Sequence, residues 1–146
     1  MKRIGMFLDV ENLYFYLMRK YGKKLDYRKL LEFVDDFGET NQRIAYGYQT
    51  NDEAIGFTHF LQNMGFKTKF KCQNSWNVGI AVDIMTLADR LDRIILCTAD
   101  ADLEPVVDWA TSKGLDVVVM ACGISKALRL TATQIIEIPE SLLCSS

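Results

Sequence analysis

The hydrophobic positions along the chain follow two alternating periodicities. Short apolar runs, such as residues 4–8 and 94–98, are each followed by a longer segment in which apolar residues recur every three or four positions. Runs of the first kind are typical of buried strands, and segments of the second kind are typical of amphipathic helices. The pattern predicts strands at residues 3–10, 42–49, 66–72, 93–98 and 115–122. It predicts helices at residues 11–22, 26–38, 52–65, 77–91 and 102–114.

Residues that favour helix ends mark several of these boundaries. Asp26 is placed to open the second helix, and Gly22 and Gly38 are placed to end the first two. Short joints at Gly65 and Gly114 lead from a helix into the next strand. Strongly apolar strands that alternate with helices are typical of βαβ crossovers on a sheet that is covered on both faces. The sequence therefore predicts an α/β fold with a mostly parallel central sheet flanked by helices.

Length and composition fit one domain. The chain has 146 residues, of which 49% are hydrophobic, and this is enough for one packed core. No repeat, low-complexity segment or linker divides it, so we expect a single domain over residues 1–146. No apolar stretch approaches the roughly 20 residues that cross a bilayer, and the N-terminal segment reaches Asp9 too early for a signal peptide. We expect a cytoplasmic protein without a membrane partner.

Cysteine content and net charge narrow the classes of protein further. The four cysteines form no CxxC pair, which favours reduced, packed thiols over disulfides or a zinc site. They are Cys72, Cys97, Cys122 and Cys144. The net charge of −2 provides no general attraction for nucleic acid, so any such binding depends on local patches.

Four aspartates are candidates for chemistry. Asp9 ends the first predicted strand, Asp100 and Asp102 follow the strand at 93–98, and Asp83 lies on the helix before that strand. Ligands of open α/β sheets bind outside the carboxyl ends of the strands, so these four acids are expected to converge there. A structural alternative exists, because Asp9 or Asp102 would also serve as a helix cap. Pro105 fits the first turn of a helix that begins at this point.

Several motifs resemble the NYN domain family, the LabA-like (DUF88) branch of the PIN-like nuclease superfamily. They are "FLDVENL", "VGIAVDIMTLA", "ILCTADADLEPVVDWATSKGLDVVVMA" and "SKALRLTATQIIEI", which occur in the family's order over nearly the whole chain. Asp9, Asn12 and Leu13 match the family's Asp-x-x-Asn-Leu pattern, and residues 98–103 match its Ser-Gly-Asp-Ser-Asp-Phe pattern.

The resemblance implies a three-layer PIN-like fold and a metal-dependent ribonuclease that leaves a 5′-phosphate and a 3′-hydroxyl. It implies that Asp9, Asp83, Asp100 and Asp102 act in catalysis by holding the metal or its water. Hard cations prefer carboxylate oxygens, so acids without His or Cys partners fit Mg²⁺ or Mn²⁺. Asn12 is expected to orient Asp9 or to contact a phosphate, and Thr98 is counted with the residues that bind substrate.

The sequence departs from the family pattern at three positions. Asn77 stands where relatives commonly carry an aspartate, Thr133 stands where an aspartate is frequent, and Leu103 replaces a phenylalanine. Since an amide lacks the charge of a carboxylate, an alternative function is a catalytically weak RNA-binding or regulatory module that retains the fold. Another phosphate enzyme is disfavoured, because the chain has no Gly-rich phosphate loop.

Candidate RNA contacts come from a lysine-rich strand and the loop after it. Lys67, Lys69 and Lys71 alternate, so they lie on one side of a strand, where they either follow a phosphate backbone or protect a sheet edge. Trp76, together with Asn74 and Asn77, would offer a surface for bases of single-stranded RNA, or Trp76 would act as a hydrophobic staple.

Aromatic residues of the first helix leave the oligomeric state open. Tyr14, Phe15 and Tyr16 occupy several sides of the helix and cannot all face the core. We therefore include contact of one or two of them with a partner subunit, as in a homodimer, among the alternatives.

Overall fold

A six-stranded sheet runs through the part of the chain that the computed structural model describes, residues 2–48, 52–71 and 75–145. The strands are β1 (Ile4–Asp9), β2 (Thr40–Tyr48), β3 (Lys67–Lys71), β4 (Arg93–Cys97), β5 (Asp116–Ala121) and β6 (Gln134–Glu137). The helices are α1 (Val10–Tyr21), α2 (Tyr27–Asp35), α3 (Asp52–Asn63), α4 (Asn77–Leu87), α5 (Glu104–Ser112) and α6 (Lys126–Thr131). Short 3₁₀ turns cover Ala88–Arg90, Ala101–Leu103 and Glu140–Leu142.

All neighbouring strands of this sheet pair in parallel, in the order β3-β2-β1-β4-β5-β6. The central strand β1 is buried along its whole length, since it is covered on both faces. The sequence-based prediction of an α/β fold with a parallel sheet is therefore confirmed. The sheet is more regular than predicted, because every pair is parallel.

Helices cover both faces of the sheet. Phe70 and Lys69 are consecutive residues of β3 and therefore point to opposite faces. Phe70 contacts Phe57 of α3, whereas Lys69 pairs with Asp83 of α4. The α3 helix thus lies on one face and α4 on the other.

Local signals place the ends of several elements. Asp9 and Asp26 are the N-caps of α1 and α2, and each side chain accepts a hydrogen bond from a backbone N–H in the first turn. Gly65 and Gly114 adopt φ values of 88° and 89° where a helix turns into a strand, a conformation that favours glycine. The interpretation of these residues as boundary signals is confirmed.

The structure also extends and corrects the predicted elements. It adds α6 and β6, which the hydrophobic pattern did not predict. The predicted helix at 77–91 ends at Leu87 and continues as a 3₁₀ turn, and the one at 102–114 begins at Glu104 after another such turn. Cys97, Cys122 and Cys144 are free thiols, and burial raises the pKa of Cys97 to about 12. Cys72 lies outside the described residues.

Exposed aromatic residues remain on α1. Tyr14 is 50% exposed and Phe15 is 56% exposed, while Tyr16 packs partly against the core. Contact of these residues with a partner subunit stays a prediction. None of the helices in the described ranges combines the length and the hydrophobicity that a membrane span requires.

Candidate functional site

The order of the strands creates a crevice between β1 and β4. Chain connections run outward in one direction from β1 through β2 to β3, and in the other direction from β4 through β5 to β6. Ligands of open α/β sheets bind at such a reversal, outside the carboxyl ends of the strands. Asp9 is the last residue of β1, and Thr98–Asp100 directly follow β4. The fold therefore places these residues at the expected position of a binding site.

Asp9 is a buried carboxylate with weak hydrogen-bond support. Its side chain is part of a residue that is 8% exposed. One carboxylate oxygen accepts the Asn12 N–H at 3.3 Å, and the other accepts the Thr98 hydroxyl at 3.4 Å. Desolvation by burial raises the pKa of Asp9 to about 6, with smaller contributions from the negative charges of Asp100 and Glu11. A buried carboxylate of this kind is a good candidate partner for a cation.

Hydrogen bonds hold the two sides of the crevice together. The Asn12 side-chain oxygen accepts the backbone N–H of Ala99 at 2.9 Å, which links the start of α1 to the loop after β4. The Thr98 hydroxyl is fully buried, donates to Asp9 and accepts the Asp100 N–H at 3.4 Å. Asn12 and Thr98 therefore position the two acids. Direct contact of either residue with substrate stays a prediction.

Asp100 is oriented by two donors. One carboxylate oxygen accepts the Asp102 N–H at 2.9 Å, and the other accepts the Asn77 side-chain amide at 2.9 Å. Asn77 thus lies at the site, as expected. Asn77 does not cap α4, because Trp76 occupies the N-cap position and the Asn77 side-chain amide donates to Asp100.

Asp102 is exposed and does not cap a helix. Asp100 provides the side-chain cap of the 3₁₀ turn at 101–103, and α5 begins after Leu103 without a side-chain cap. The capping alternative is therefore confirmed for Asp9 but wrong for Asp102. Pro105 does lie in the first turn of α5, as predicted. Leu103 is buried in the core.

Asp83 is engaged in a separate interaction. Both of its carboxylate oxygens contact the Lys69 ammonium, at 3.0 and 2.8 Å, and one also accepts the Tyr46 hydroxyl at 2.7 Å. The Asp83 side chain is 18% exposed, so this ion pair is partly shielded from water. Burial and the Asp83 charge raise the pKa of Tyr46 well above its usual range. The resting position of Asp83 is therefore opposite a lysine.

Asp9, Asp83, Asp100 and Asp102 are the predicted metal ligands. Within residues 2–48, 52–71 and 75–145, no three His, Cys, Asp or Glu side chains are close enough together to hold an ion. The four predicted acids do not form one cluster in this arrangement, and their shared role as ligands stays a prediction. Asp9 and Asp100 nonetheless fit a magnesium-type ion, which is typically held by one or two carboxylates and keeps several waters.

The lysines of β3 share one side of the strand, as predicted. Lys67 is exposed, Lys69 pairs with Asp83, and Lys71 lies over the Trp76 ring at 4.1 Å from its centroid. Because β3 is an edge strand, the protective interpretation fits the sheet, while phosphate contact stays a prediction.

Trp76 is fixed by its neighbours. Its indole N–H donates to the Gly47 carbonyl at 2.7 Å, and its ring packs against Tyr46 at 5.4 Å between centroids. These contacts fit the structural interpretation of Trp76, and base stacking stays a prediction. Asn74, which the sequence placed in the same loop, lies outside the described residues.

Two tyrosines at this end of the sheet were missed from the sequence. Tyr46 is the register partner of Asp9 in β2, and its hydroxyl binds Asp83. Burial, followed by the charges of Asp9 and Glu11, raises the pKa of Tyr48, which places its hydroxyl in the field of both acids. The alternation in "YGY" could have identified both residues, had β2 been known to pair with β1.

Comparisons with known proteins give the family. Residues 3–140 match the model of the NYN domain. The low amplitude and bright protein LabA of Synechococcus elongatus is 22% identical over 156 residues, covering 93% of this chain and 83% of LabA. A protein of unknown function from Vibrio parahaemolyticus, VPA0982, shares the fold with a TM-score of 0.92 at 24% identity, covering 98% of this chain and 96% of that one. The chain therefore belongs to the NYN domain family of the PIN-like nuclease superfamily.

Proposed function

We propose that the protein is a metal-dependent endoribonuclease that cleaves single-stranded RNA in the cytoplasm. The observation that carries the proposal is the position of Asp9 at the end of β1 and of Asp100 just after β4, where the strand order reverses and the Asp100 charge acts on the Asp9 carboxyl. The family match supports a nuclease, since the chain belongs to a nuclease superfamily.

Oxygen ligands at the site favour Mg²⁺ or Mn²⁺ over zinc. Asp9 and Asp100 would bind the ion, and Asp102, which is exposed beside them, would hold one of its waters. When bound, the ion would activate a water molecule and stabilise negative charge on the phosphate in the transition state. Hydrolysis would break the P–O3′ bond and leave a 5′-phosphate and a 3′-hydroxyl.

Neighbouring residues would position the acids and the substrate. Asn77 holds Asp100 by its amide N–H, and Thr98 holds Asp9 by its hydroxyl. The Asn12 side-chain NH₂ has no hydrogen-bond partner among the described residues, so it is available to donate to a phosphate oxygen.

Lys67 and Lys71 would contact phosphates along β3. Asp83 would support α4 and β3 through Lys69, or join the ion by releasing that lysine.

A second candidate is an RNA-binding or regulatory module without cleavage. The observation that favours it is Asn77, an amide placed against Asp100 at 2.9 Å where many relatives have an acid. With fewer carboxylates the site holds a divalent ion less strongly. This candidate predicts RNA binding that does not depend on Mg²⁺ or Mn²⁺.

Cleavage of a 5′-labelled single-stranded RNA tests the proposal. We expect Mn²⁺ or Mg²⁺ to produce shortened products that end in a 3′-hydroxyl, and EDTA to abolish them. Asp100→Asn removes one charged ligand but keeps the shape of the side chain, so we expect it to lower the cleavage rate at least about 100-fold. Asp108→Asn, on the exposed surface of α5, is the matched control and is expected to cleave like the parent.

The two candidates give different results in the same experiment. Loss of cleavage in Asp100→Asn but not in Asp108→Asn supports the nuclease. RNA binding without cleavage at saturating Mg²⁺ and Mn²⁺ would overturn the nuclease and support the binding module.

A further inference from the structure

An aromatic cavity lies near the carboxyl ends of β1, β2 and β3, on the α3 face of the sheet. Its volume is about 650 Å³, within the range of pockets that bind small ligands. It is bounded by the start of α1, the start of α2, α3 and the ends of β2 and β3. We call it the aromatic pocket.

Ring faces and edges form much of its wall. Phe57 is central, with its ring centroid 5.6 Å from Tyr27, 6.4 Å from Phe60 and 6.4 Å from Phe70. The Phe57 and Phe60 rings are nearly parallel, at 20°. Phe60 is 38% exposed and Tyr14, on the facing helix, is 50% exposed. Such large aromatic surfaces open to solvent are typical of binding sites.

The aromatic pocket reaches the carboxyl ends of β1 and β2. Val10 and Glu11, which line it, directly follow Asp9 in the chain. Tyr48 also lines it, and its hydroxyl lies in the field of Asp9 and Glu11. A ligand that fills the pocket would therefore lie against the residues that directly follow Asp9 in the chain.

The charges around the pocket nearly cancel. Lys24 and Arg28 contribute two positive charges, and Glu11, Asp26 and Glu53 contribute three negative charges. A purely ionic ligand of either sign is therefore not favoured. A flat, uncharged ring with hydrogen-bonding edges suits this environment, since the rings can stack on it and the carboxylates can accept its N–H groups.

We infer that the aromatic pocket binds a nucleobase of the single-stranded RNA next to the phosphate at the Asp9–Asp100 site. The inference rests on the proposed function for the identity of the ligand. Stacking on aromatic side chains is how proteins bind unpaired bases without reading a duplex. A double-stranded RNA would be a poor ligand, because its bases cannot enter the pocket while they are paired.

Binding of RNA in EDTA tests the inference without requiring cleavage. The probe is a fluorescein-labelled single strand of about eight nucleotides, compared with the same strand made abasic at its central positions. Phe60→Ala and Tyr14→Ala each remove an exposed ring of the pocket. Phe15→Ala removes a neighbouring ring that is 56% exposed and does not line the pocket, and it is the matched control.

We expect Phe60→Ala and Tyr14→Ala to weaken binding of the intact strand at least about fivefold, as the loss of one stacked base does. Phe15→Ala should bind like the parent. The abasic strand should bind the parent weakly, and Phe60→Ala should not change its affinity. Because stacking is not ionic, the loss should persist at high salt.

Two results would overturn the inference. One is equal affinity of Phe60→Ala, Tyr14→Ala and Phe15→Ala for the intact strand. The other is equal affinity of the parent for intact and abasic strands, which would leave the pocket to a small molecule or a peptide. Base-dependent binding in a protein that does not cleave RNA would contradict the nuclease alone. Cleavage that is insensitive to the pocket variants, with unchanged binding, would contradict the pocket alone.

Discussion

Burial of the Asp9 carboxylate affects the stability of the folded protein. Its pKa is raised from the ordinary value of 3.8 to about 6 because burial removes the water that would stabilise its charge. The folded protein therefore binds the Asp9 proton more tightly than the unfolded chain. Protonated Asp9 stabilises the folded state. This contribution to the free energy of unfolding is fully present below about pH 3.8 and is lost as the pH rises through about 6. At neutral pH Asp9 destabilises the metal-free fold.

The first prediction concerns Asp9→Asn. In EDTA at pH 7 we expect this variant to be more stable than the parent by roughly 1–3 kcal/mol, since it removes the cost of ionisation and asparagine caps α1 equally well. The difference should shrink as the pH falls from 6 to 4. Thermal unfolding across this pH range measures it. Asp26→Asn, at the N-cap of α2, is the control and should change little. A variant less stable than the parent at pH 7 would contradict the account.

Asn77 supplies a neutral amide next to Asp100, where an aspartate would add a negative charge. Its N–H group donates to Asp100, so it stabilises that carboxylate without adding negative charge.

The second prediction concerns Asn77→Asp. We expect the variant to unfold at a lower temperature than the parent in EDTA, because the new carboxylate faces Asp100 and can no longer donate to it. Added Mn²⁺ should raise its unfolding temperature more than it raises that of the parent, because a third acid improves the oxygen ligand set. Differential scanning fluorimetry with and without Mn²⁺ measures both effects. Equal Mn²⁺ shifts in both proteins would show that residue 77 lies outside the ion's reach.

At the scale of elements, β3 and α4 are joined by the Lys69–Asp83 ion pair. Both side chains are less than one third exposed, and Tyr46 of β2 adds a hydrogen bond to the same carboxylate. Removal of one partner from a shielded pair leaves the other charge without compensation.

The third prediction compares Lys69→Met with Lys67→Met. We expect Lys69→Met to lower the free energy of unfolding by roughly 1–3 kcal/mol, because Asp83 keeps only the Tyr46 hydroxyl. Lys67 is exposed, so Lys67→Met should stay within about 0.5 kcal/mol of the parent. Urea denaturation measures the difference. The double variant Lys69→Met with Asp83→Asn should recover part of the loss; if it recovers none, the pair is not the cause.

The same elements show what the sequence could and could not predict. Periodicity and glycine positions predicted five strands and five helices, because buried strands and amphipathic helices differ in local pattern. The pair α6 and β6 is short, at six and four residues, and gives too few periods to detect. Which strands lie side by side is a property of the whole sheet and leaves no local signal. The contacts of Tyr46 and Asp83 were therefore beyond prediction.

Some contacts of the predicted site could be predicted from sequence motifs, and others could not. Asp9, Asn12, Thr98 and Asp100 come together because each lies at the carboxyl end of a central strand or in the first turn after it, and sequence motifs mark those ends. Asp83 lies in the second turn of α4, where the direction of a side chain depends on packing. Its pairing with Lys69 required the structure.

At the scale of the whole molecule, the reversal of strand order between β1 and β4 gives the site its location. Asp9 and Asp100 reach this crevice from different strands, and the aromatic pocket lies at the carboxyl ends of β1, β2 and β3 on the α3 face. The β3 lysines lie on the opposite face of the sheet, with α4. A single strand of RNA that crosses the carboxyl edge of the sheet would therefore meet rings on one side and positive charges on the other.

The proposed function requires Asp9 and Asp100 to hold one divalent ion at this crevice. A crystal structure of the protein soaked in Mn²⁺, with anomalous diffraction to locate the ion, tests this requirement. We predict one anomalous peak bonded directly to a carboxylate oxygen of Asp9 and to one of Asp100, with the remaining positions filled by water. A peak bonded to neither carboxylate, or no peak at saturating Mn²⁺, would contradict the claim.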